Sequence, residues 1–173
     1  MLVENTGRSR IFIALGANLE HPVYGPPRRV LEAALAELGR QGVVVRHVSP
    51  WYRTAPVPAS DQPWYVNAVA EITTDLAADA LLARMHEVED AFGRVRTVPN
   101  APRLIDLDLL DFHGEIAAGG PGRAVLPHPR MESRAFVLRP LADLAPDWRH
   151  PRTGVTISAL LAALPADQVI ERL

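Results

Sequence analysis

The stretch Tyr65-Val66-Asn67-Ala68-Val69-Ala70-Glu71-Ile72-Thr73 decides the fold. In a strand, successive side chains point to opposite faces of the sheet. Small and branched apolar residues share one face: Val66, Ala68, Ala70 and Ile72. The other face is mixed: Tyr65, Asn67, Val69 and Glu71. This alternation predicts a strand with one face in an apolar core and a second face that is partly polar.

The residues before this strand predict two more strands and a helix. Ile11 to Leu15 is an apolar run that ends at Gly16, and Val43 to Val48 is a β-branched run that extends toward Tyr52. Between them, a helix follows Pro26-Pro27. Its apolar residues recur at helical spacing: Val30, Leu31, Ala34, Leu35 and Leu38.

The residues after the strand predict a second helix and a fourth strand. We expect Asp75 or a neighbour to cap this helix and Gly93 to end it. Leu104 to Phe112 is the fourth strand. The order β-α-β-β-α-β predicts an α+β fold of the ferredoxin-like type, an antiparallel sheet with both helices on one face.

The remaining residues predict C-terminal helical additions to this βαββαβ unit. A short segment, Ala124-Val125-Leu126, precedes predicted helices at Glu132–Leu144 and Thr156–Leu164. Because the chain contains neither an internal repeat nor a compositional break, we expect residues 1–173 to form a single domain. We expect a groove or the additions to occupy the second face of the sheet.

Composition excludes several classes of protein. The chain has 48% hydrophobic and 22% charged residues and a net charge of −2, which argues against a general nucleic-acid binder. It has no cysteine, which fits a reducing compartment. No apolar run is long enough for a membrane helix, and the first ten residues lack the apolar core of a signal peptide. We therefore expect a cytoplasmic protein without nucleic-acid or membrane partners.

All eighteen basic residues are arginines, and the chain has no lysine. A Walker-type phosphate loop requires a lysine, so this class of ATP site is excluded. Any phosphate clamp here must use arginine, whose planar guanidinium suits phosphate oxygens.

The fourth predicted strand carries two acids at alternate positions. In Leu104-Ile105-Asp106-Leu107-Asp108-Leu109-Leu110, the two aspartates point to the face opposite the apolar residues, about 6.6 Å apart along the strand. Two such carboxylates match a site for a pair of magnesium ions. They also match two solvated acids on an exposed strand, or the acid and base of a glycosidase.

Other residues near the acidic strand are candidates for a polyphosphate site. The arginines are Arg94, Arg96, Arg103 and Arg134, and His128 lies between two prolines. Taken singly, each arginine is typical of a surface ion pair, and a loop histidine often caps a backbone group. Periodicity places Glu89 on the flank of the second helix with a solvated head. Tyr65 and Asn67 suit a flat heterocycle, although ordinary strand packing explains them equally well.

Seven segments together resemble the 6-hydroxymethyl-7,8-dihydropterin pyrophosphokinases of folate biosynthesis. They are Ile13–Leu19, Tyr52–Pro56, Asp61–Ala68, Glu89 with Gly93–Arg96, Pro102–Leu110, Pro127–Met131 and Arg134–Leu138. The order and spacing of these segments carry the resemblance, which covers residues 11–151.

The resemblance implies an ATP-dependent enzyme that transfers diphosphate to the pterin alcohol and releases AMP. It implies that two Mg²⁺ ions are held by Asp106 and Asp108, which act with Arg94 and Arg103 in catalysis. The implied ATP-binding residues are His86, Glu89, Arg94, Arg103, His128 and Arg134. The implied pterin-binding residues are Thr54, Ala55, Val57, Tyr65, Asn67, Asp106 and Phe136. The expected partners are these two small molecules, and we expect a monomer.

The chain departs from the family pattern in one loop and one helix. Pro99, Asn100 and Ala101 stand where a basic residue, Trp and Gly are frequent, and His86 stands where Gln is frequent. We expect the loop Arg94–Pro102 to be mobile without ligands and to close over them. Two alternatives remain at this point: an RNA-binding module of the same fold, and another magnesium-dependent phosphoryl or nucleotidyl transferase.

Overall fold

The computed structural model describes residues 10–95 and 98–173. The elements of the ferredoxin-like unit are β1 (Ile11–Ala17), α1 (Pro27–Arg40), β2 (Val43–Val48), β3 (Tyr52–Thr54), β4 (Tyr65–Thr74), α2 (Ala78–Ala91) and β5 (Asp106–Phe112). They are followed by β6 (Ala117–Gly120), β7 (Arg123–Leu126), a 3-10 turn (Met131–Ser133), α3 (Ala135–Leu144), α4 (Ile157–Ala162) and β8 (Ile170–Arg172).

The main sheet is antiparallel, and β1 lies inside it. Its order is β5-β1-β4-β3-β8, and β2 pairs with the other half of the long strand β4. The predicted ferredoxin-like βαββαβ arrangement is therefore confirmed. Since β1 is flanked by β4 and β5, side chains from three strands meet at the end of β1.

The two faces of the sheet carry different cores, as the alternation along β4 predicts. One face packs on α1 and α2 through a cluster that includes Ile13, Leu31, Ala70 and Met85. The opposite face packs on α3 and α4, with Val69 of β4 in the centre of a second cluster. The C-terminal additions thus cover one part of the second face, and the polar residues Tyr65 and Asn67 lie beyond the part they cover.

The structure differs from the sequence prediction at three places in the strands. The run from Val43 toward Tyr52 is two strands, β2 and β3. The strand pairing breaks between them because Pro50 has no backbone N–H to donate. At the break, the Val69 amide donates to the Ser49 hydroxyl. The hairpin of β6 and β7 was predicted only as one short segment. Strand β8 was not predicted, since its three residues make too short a run to show alternation.

Two helix termini also differ. The predicted cap at Asp75 is wrong: α2 begins after Ala77, and no side chain caps it. The predicted helix over Glu132–Leu144 is interrupted at Arg134, whose backbone is extended between the 3-10 turn and α3. The fourth helix begins as predicted, with the Thr156 hydroxyl accepting from the Ala159 amide. Among residues 10–95 and 98–173, no helix is long and apolar enough to cross a membrane.

The second face of the sheet carries an ion pair between Arg10 and Glu71. This pair lies toward the end of β4 that is opposite to Tyr65 and Asn67. Arg10 donates two hydrogen bonds of 2.8 Å to the Glu71 carboxylate. The first cause of the lowered pKa of Glu71 is its hydrogen bond with Arg10. The folded state therefore favours the ionised form of Glu71, and its stability depends on that charge.

We predict that Glu71→Gln lowers the free energy of unfolding at pH 7 by about 1–2 kcal/mol, since Arg10 is only partly exposed. Because the folded pKa lies below the unfolded value of about 4.3, this stabilisation is present above that value and is lost as pH falls through the folded pKa. Urea unfolding at pH 7 and at pH 3 measures it. Glu87→Gln, in an exposed pair with Arg84, is the control and changes little. An equal loss at both pH values would contradict the assignment.

Candidate active site

A cavity of about 240 Å³, which we call the main cavity, opens on the second face of the sheet at the end of β1. All seven residues that the resemblance assigns to the pterin line it: Thr54, Ala55, Val57, Tyr65, Asn67, Asp106 and Phe136. Arg103, Asp108 and Arg134 line the same cavity. The tertiary structure therefore gathers residues from β3, β4, β5 and the start of α3 around one space.

Gly16 makes room at the centre of this arrangement. It is paired with Asn67 on β4 and with Asp106 on β5. A Cβ atom at position 16 would lie 3.2 Å from Nδ2 of Asn67, so the glycine allows the Asn67 amide to approach β1 closely. Sequence reasoning treated Gly16 only as the end of a strand. The available signal was a glycine within a strand, which often marks a close approach by a ligand.

The Asn67 amide is held in one orientation. The Thr54 hydroxyl donates a 3.0 Å hydrogen bond to Oδ1 of Asn67, and both residues are buried. With Oδ1 occupied in this way, the amide is fixed beside Gly16 at the cavity. An oriented amide of this kind can read the donors and acceptors at the edge of a heterocycle.

Asp106 and Asp108 lie on the cavity face of β5, as the sequence pattern predicts. Their side chains are about one quarter exposed, while Ile105, Leu107 and Leu109 lie in the opposite core. Burial is the main cause that raises the pKa of Asp106, and the charge of Asp108 raises it further. The two carboxylates are therefore not an exposed, freely solvated pair.

Three arginines surround the acidic pair. Arg94 donates a 2.9 Å hydrogen bond to Asp106, and Arg103 lies 3.3 Å from its other oxygen. Arg134 Nη1 is 3.8 Å from Asp108, and its guanidinium lies over the Phe136 ring at 5.4 Å. These charges oppose the rise in the pKa of Asp106. The arrangement places cationic groups on several sides of the carboxylates, as a polyphosphate site requires.

His128 presents an N–H group beside the acidic pair. Burial is the main cause that lowers the pKa of His128 to about 4, and the charges of Arg134 and Arg130 lower it further. The ring is thus neutral near pH 7, so the 3.7 Å approach of Nε2 to Asp108 is not an ion pair. Because Nδ1 accepts from the Arg130 amide, the proton is assigned to Nε2. His128 also caps a neighbouring backbone group, the Arg130 amide, which is the alternative considered from the sequence.

The predicted solvated position of Glu89 is wrong. Its carboxylate is fully buried, pairs with Arg94 and accepts from the Leu107 amide at 3.2 Å. Glu89 follows the apolar residue Val88, and its side chain faces β5 because α2 packs closely on that strand. In this conformation no surface of Glu89 is available for the ribose contact that the resemblance implies. The buried carboxylate instead holds Arg94 next to Asp106.

One other predicted residue, His86, lies apart from the main cavity. His86 is exposed on α2, and among the described residues it is not part of the cavity lining. Arg96, one of the candidate arginines, lies outside the described residues. The roles of both in binding nucleotide stay predictions.

Asn18 and Gln62 were missed by the sequence analysis, although they connect the parts of the site. Asn18 is buried, donates to Gln62 Oε1 and accepts from the Arg103 amide at 2.8 Å. Gln62 donates to the Asn100 carbonyl, and its Oε1 lies 3.2 Å from the Tyr65 hydroxyl. Only the folded chain brings these amides together, because they lie more than forty residues apart.

The loop before β5 is only partly described, since residues 96 and 97 lie outside the described part. Val95 and Val98 are exposed, and Asn100 has φ 62°. Asparagine adopts this left-handed region more readily than a bulky residue such as tryptophan, which gives a physical reason for the departure at this position. The predicted mobility and closure of the loop stay predictions.

The comparisons with known proteins identify the family of the chain. The family model described as 7,8-dihydro-6-hydroxymethylpterin-pyrophosphokinase (HPPK) matches residues 12–146. A relative from Pseudomonas aeruginosa, named 2-amino-4-hydroxy-6-hydroxymethyldihydropteridine pyrophosphokinase, is 44% identical over 165 residues, covering 95% of this chain and 96% of that protein. A relative of the same name from Synechocystis sp. is 39% identical over 150 residues, covering 86% of this chain and 73% of that protein.

A solved structure supports the fold alone. The crystal structure of a Plasmodium falciparum HPPK-DHPS triple mutant matches with a TM-score of 0.64 at 13% identity, covering 92% of this chain and 45% of that chain. The family model spans the residues that line the main cavity except Gln168, and the first two relatives match over most of their own length. The chain belongs to the 7,8-dihydro-6-hydroxymethylpterin-pyrophosphokinase family.

Proposed function

We propose that this chain transfers the terminal diphosphate of magnesium-bound ATP to the hydroxymethyl oxygen of 6-hydroxymethyl-7,8-dihydropterin, giving AMP and the pterin diphosphate. The observation that carries the proposal is that the main cavity adjoins the cluster of arginines and acids. Asp106 and Arg103 line the main cavity, and both belong to the cluster of arginines and acids beside it. A ligand in the cavity would therefore place its end next to a phosphate-binding region.

The main cavity suits the pterin. Tyr65 and Phe136 supply aromatic faces, and Asn67 supplies an oriented amide for the polar edge of the ring. Apolar and aromatic surface with a few fixed polar groups is typical of a small-molecule site. The Tyr65 hydroxyl is tied to the Ala101 carbonyl at 3.3 Å, which limits the positions its ring can take.

The arginines suit the phosphates. Arg94 and Arg103 also line a shallow groove beneath the loop that precedes β5, with Val98 and Pro102. Arg103 is shared by this groove and the main cavity, so the two spaces adjoin. Guanidinium groups bind phosphate oxygens through paired hydrogen bonds. We propose that Arg94, Arg103 and Arg134 exchange part of their contact with the carboxylates for contact with ATP phosphates.

The acidic pair fits magnesium that arrives with a nucleotide. Within the described residues 10–95 and 98–173, no cluster of three or more His, Cys, Asp or Glu side chains could hold a metal by itself. Mg²⁺ usually takes one or two carboxylates and completes its shell with water and substrate phosphates. Asp106 and Asp108 would hold two Mg²⁺ ions, and the bound metal would neutralise negative charge on the phosphate oxygens.

The residues act by placement of the reacting groups. The pterin hydroxymethyl oxygen forms a bond to the β-phosphorus, and the bond from that phosphorus to the oxygen bridging to the α-phosphorus breaks. That oxygen leaves with AMP, and the hydroxyl proton is released. In-line placement is the main requirement of such a transfer. His128 is a neutral N–H donor here, which suits contact with a phosphate oxygen better than removal of a proton.

Product analysis tests the proposed function directly. The chain is incubated with ATP, magnesium and 6-hydroxymethyl-7,8-dihydropterin, and nucleotides are separated by chromatography. We expect AMP to form in equal amount to the pterin diphosphate, and only when pterin and magnesium are both present. ADP as the product, or AMP formed without the pterin, would overturn the proposal.

We predict that Asp106→Asn and Asp108→Asn each lower turnover by about two orders of magnitude or more, the size of loss seen when a major electrostatic contact is removed. Each substitution keeps the shape of the side chain and removes a charge that would bind metal. Turnover is measured beside circular dichroism, with Asp90→Asn on the exposed side of α2 as the control. Near-normal turnover in either folded variant would contradict the metal assignment.

We predict that Phe136→Ala weakens pterin binding by about ten-fold and changes the affinity for a non-hydrolysable ATP analogue much less, because an aromatic contact adds about 0.5–1.5 kcal/mol to the burial of the ring. Calorimetric titrations of each ligand measure the two effects. Tyr24→Ala removes a ring stacked on Phe92 away from the main cavity and serves as the control. Equal losses for both ligands would show that Phe136 acts as general packing.

A further inference from the structure

The segment after α4, residues 163–173, returns to the main cavity. Strand β8 pairs antiparallel with β3, and the Val169 carbonyl accepts from the Ala55 amide at 3.1 Å. The Leu173 amide donates to the Trp51 carbonyl at 2.9 Å. This segment follows the residues that the family model matches, 12–146. We call it the C-terminal segment.

Gln168 connects the C-terminal segment to the opposite side of the cavity. Its Nε2 donates to the Ser133 carbonyl at 2.8 Å, and its Oε1 accepts from the Ala135 amide at 2.9 Å. The Ala135 amide is at the first position of α3, where backbone N–H groups lack partners within the helix. Gln168 also lines the main cavity. The Gln168 side chain thus uses both the N–H and the carbonyl oxygen of its amide to hold the start of α3.

The turn that Gln168 holds carries two residues of the site. Arg134 lies between its two hydrogen-bonded neighbours, and Phe136 follows at once. Arg134 has an additional contact with Asp108 on β5 that restrains it independently of this turn. Phe136, which forms a side of the cavity, depends more on the position of the first turn of α3. Loss of the Gln168 contacts should therefore affect the pterin half more than the phosphate half.

Beyond Leu164, which packs against the second core cluster, the C-terminal segment contributes little to the apolar core. Val169 and Leu173 are about half exposed or more, and the ion pair of Arg53 with Glu171 is exposed. Its attachment relies mainly on backbone hydrogen bonds to the strand β3 and on Gln168. The segment joins the strand that carries Thr54 to the turn that carries Phe136, and it spans both sides of the cavity.

We propose that Gln168 is a positioning residue for the pterin pocket: by joining β8 to the first turn of α3, it sets the place of the Phe136 ring relative to Ala55 and Thr54. The part of this inference that names the pterin rests on the proposed function. The part that concerns the Phe136 ring is independent of it.

The test replaces Gln168 by methionine, which has a similar length but forms neither hydrogen bond. Gln41→Met, at the end of α1 away from the main cavity, is the matched control. The chain contains four phenylalanines, so labelling with 4-fluorophenylalanine gives four fluorine resonances, assigned by Phe→Leu substitution. We expect Gln168→Met to shift or broaden the Phe136 resonance and to leave those of Phe12, Phe92 and Phe112 unchanged.

Binding measurements on the same variants complete the test. We expect the dissociation constant for the pterin to rise about ten-fold in Gln168→Met, of the order expected for lost hydrogen bonds at a positioning contact, and that for the ATP analogue to change less. Because kcat at saturating pterin should fall less than kcat/KM, steady-state kinetics give a further readout.

Each outcome decides the inference. An unchanged Phe136 resonance with unchanged pterin affinity would overturn it. Weaker pterin binding with an unchanged resonance would show that Gln168 touches the ligand itself, which also overturns the positioning role. A changed resonance in a chain whose wild type does not bind pterin would keep the positioning of Phe136 and overturn only the proposed function.

Discussion

The mutual repulsion of Asp106 and Asp108 in a partly buried site is the constraint on which the surrounding residues depend. Burial and the neighbouring charge both disfavour two ionised groups on one strand face. Arginines from three parts of the chain offset this cost, and one of them is held in turn by the buried Glu89. The arginines thus allow two acids to lie close together on one strand face. In the proposed function, the carboxylates would exchange part of their contact with the guanidinium groups for contact with metal.

The ferredoxin-like sheet supplies the positions for this arrangement. One face is closed by α1 and α2, whereas α3 and α4 cover only part of the other. The uncovered part lies where β1 ends between β4 and β5, and Gly16 there allows the Asn67 amide to approach β1 closely. Because all three strands belong to one sheet, the main cavity and the cluster of arginines and acids beside it are held at a fixed separation. In the proposed function, this separation would place two bound substrates for group transfer.

Polar side chains that join distant segments hold the edges of the site. Asn18 and Gln62 connect the end of β1, the loop before β4 and the start of β5. Gln168 does the same on the other side, between β8 and α3. Each amide uses a donor and an acceptor at once, which restrains its own orientation as well as its neighbours. The aromatic and amide groups around the cavity are thus supported by uncharged amide side chains. These side chains belong to no hydrophobic periodicity or charged motif, so the sequence alone does not mark them.

Local patterns were sufficient for the βαββαβ order, for the facing of Asp106 and Asp108 and for the exclusion of a lysine-based phosphate loop, since alternation, helical spacing and residue type act over a few neighbouring residues. The resemblance in sequence assigned seven residues to the pterin, and all seven line the main cavity, while their role in binding stays a prediction. Patterns failed at Glu89, which packing turns inward, at the break between β2 and β3, and at Gln168. By itself, then, the sequence determined the sheet, its two faces and the acidic strand. The tertiary structure alone decided which amides and arginines meet around the cavity. Those contacts join residues many positions apart in the chain, so they leave no periodic signal in the sequence.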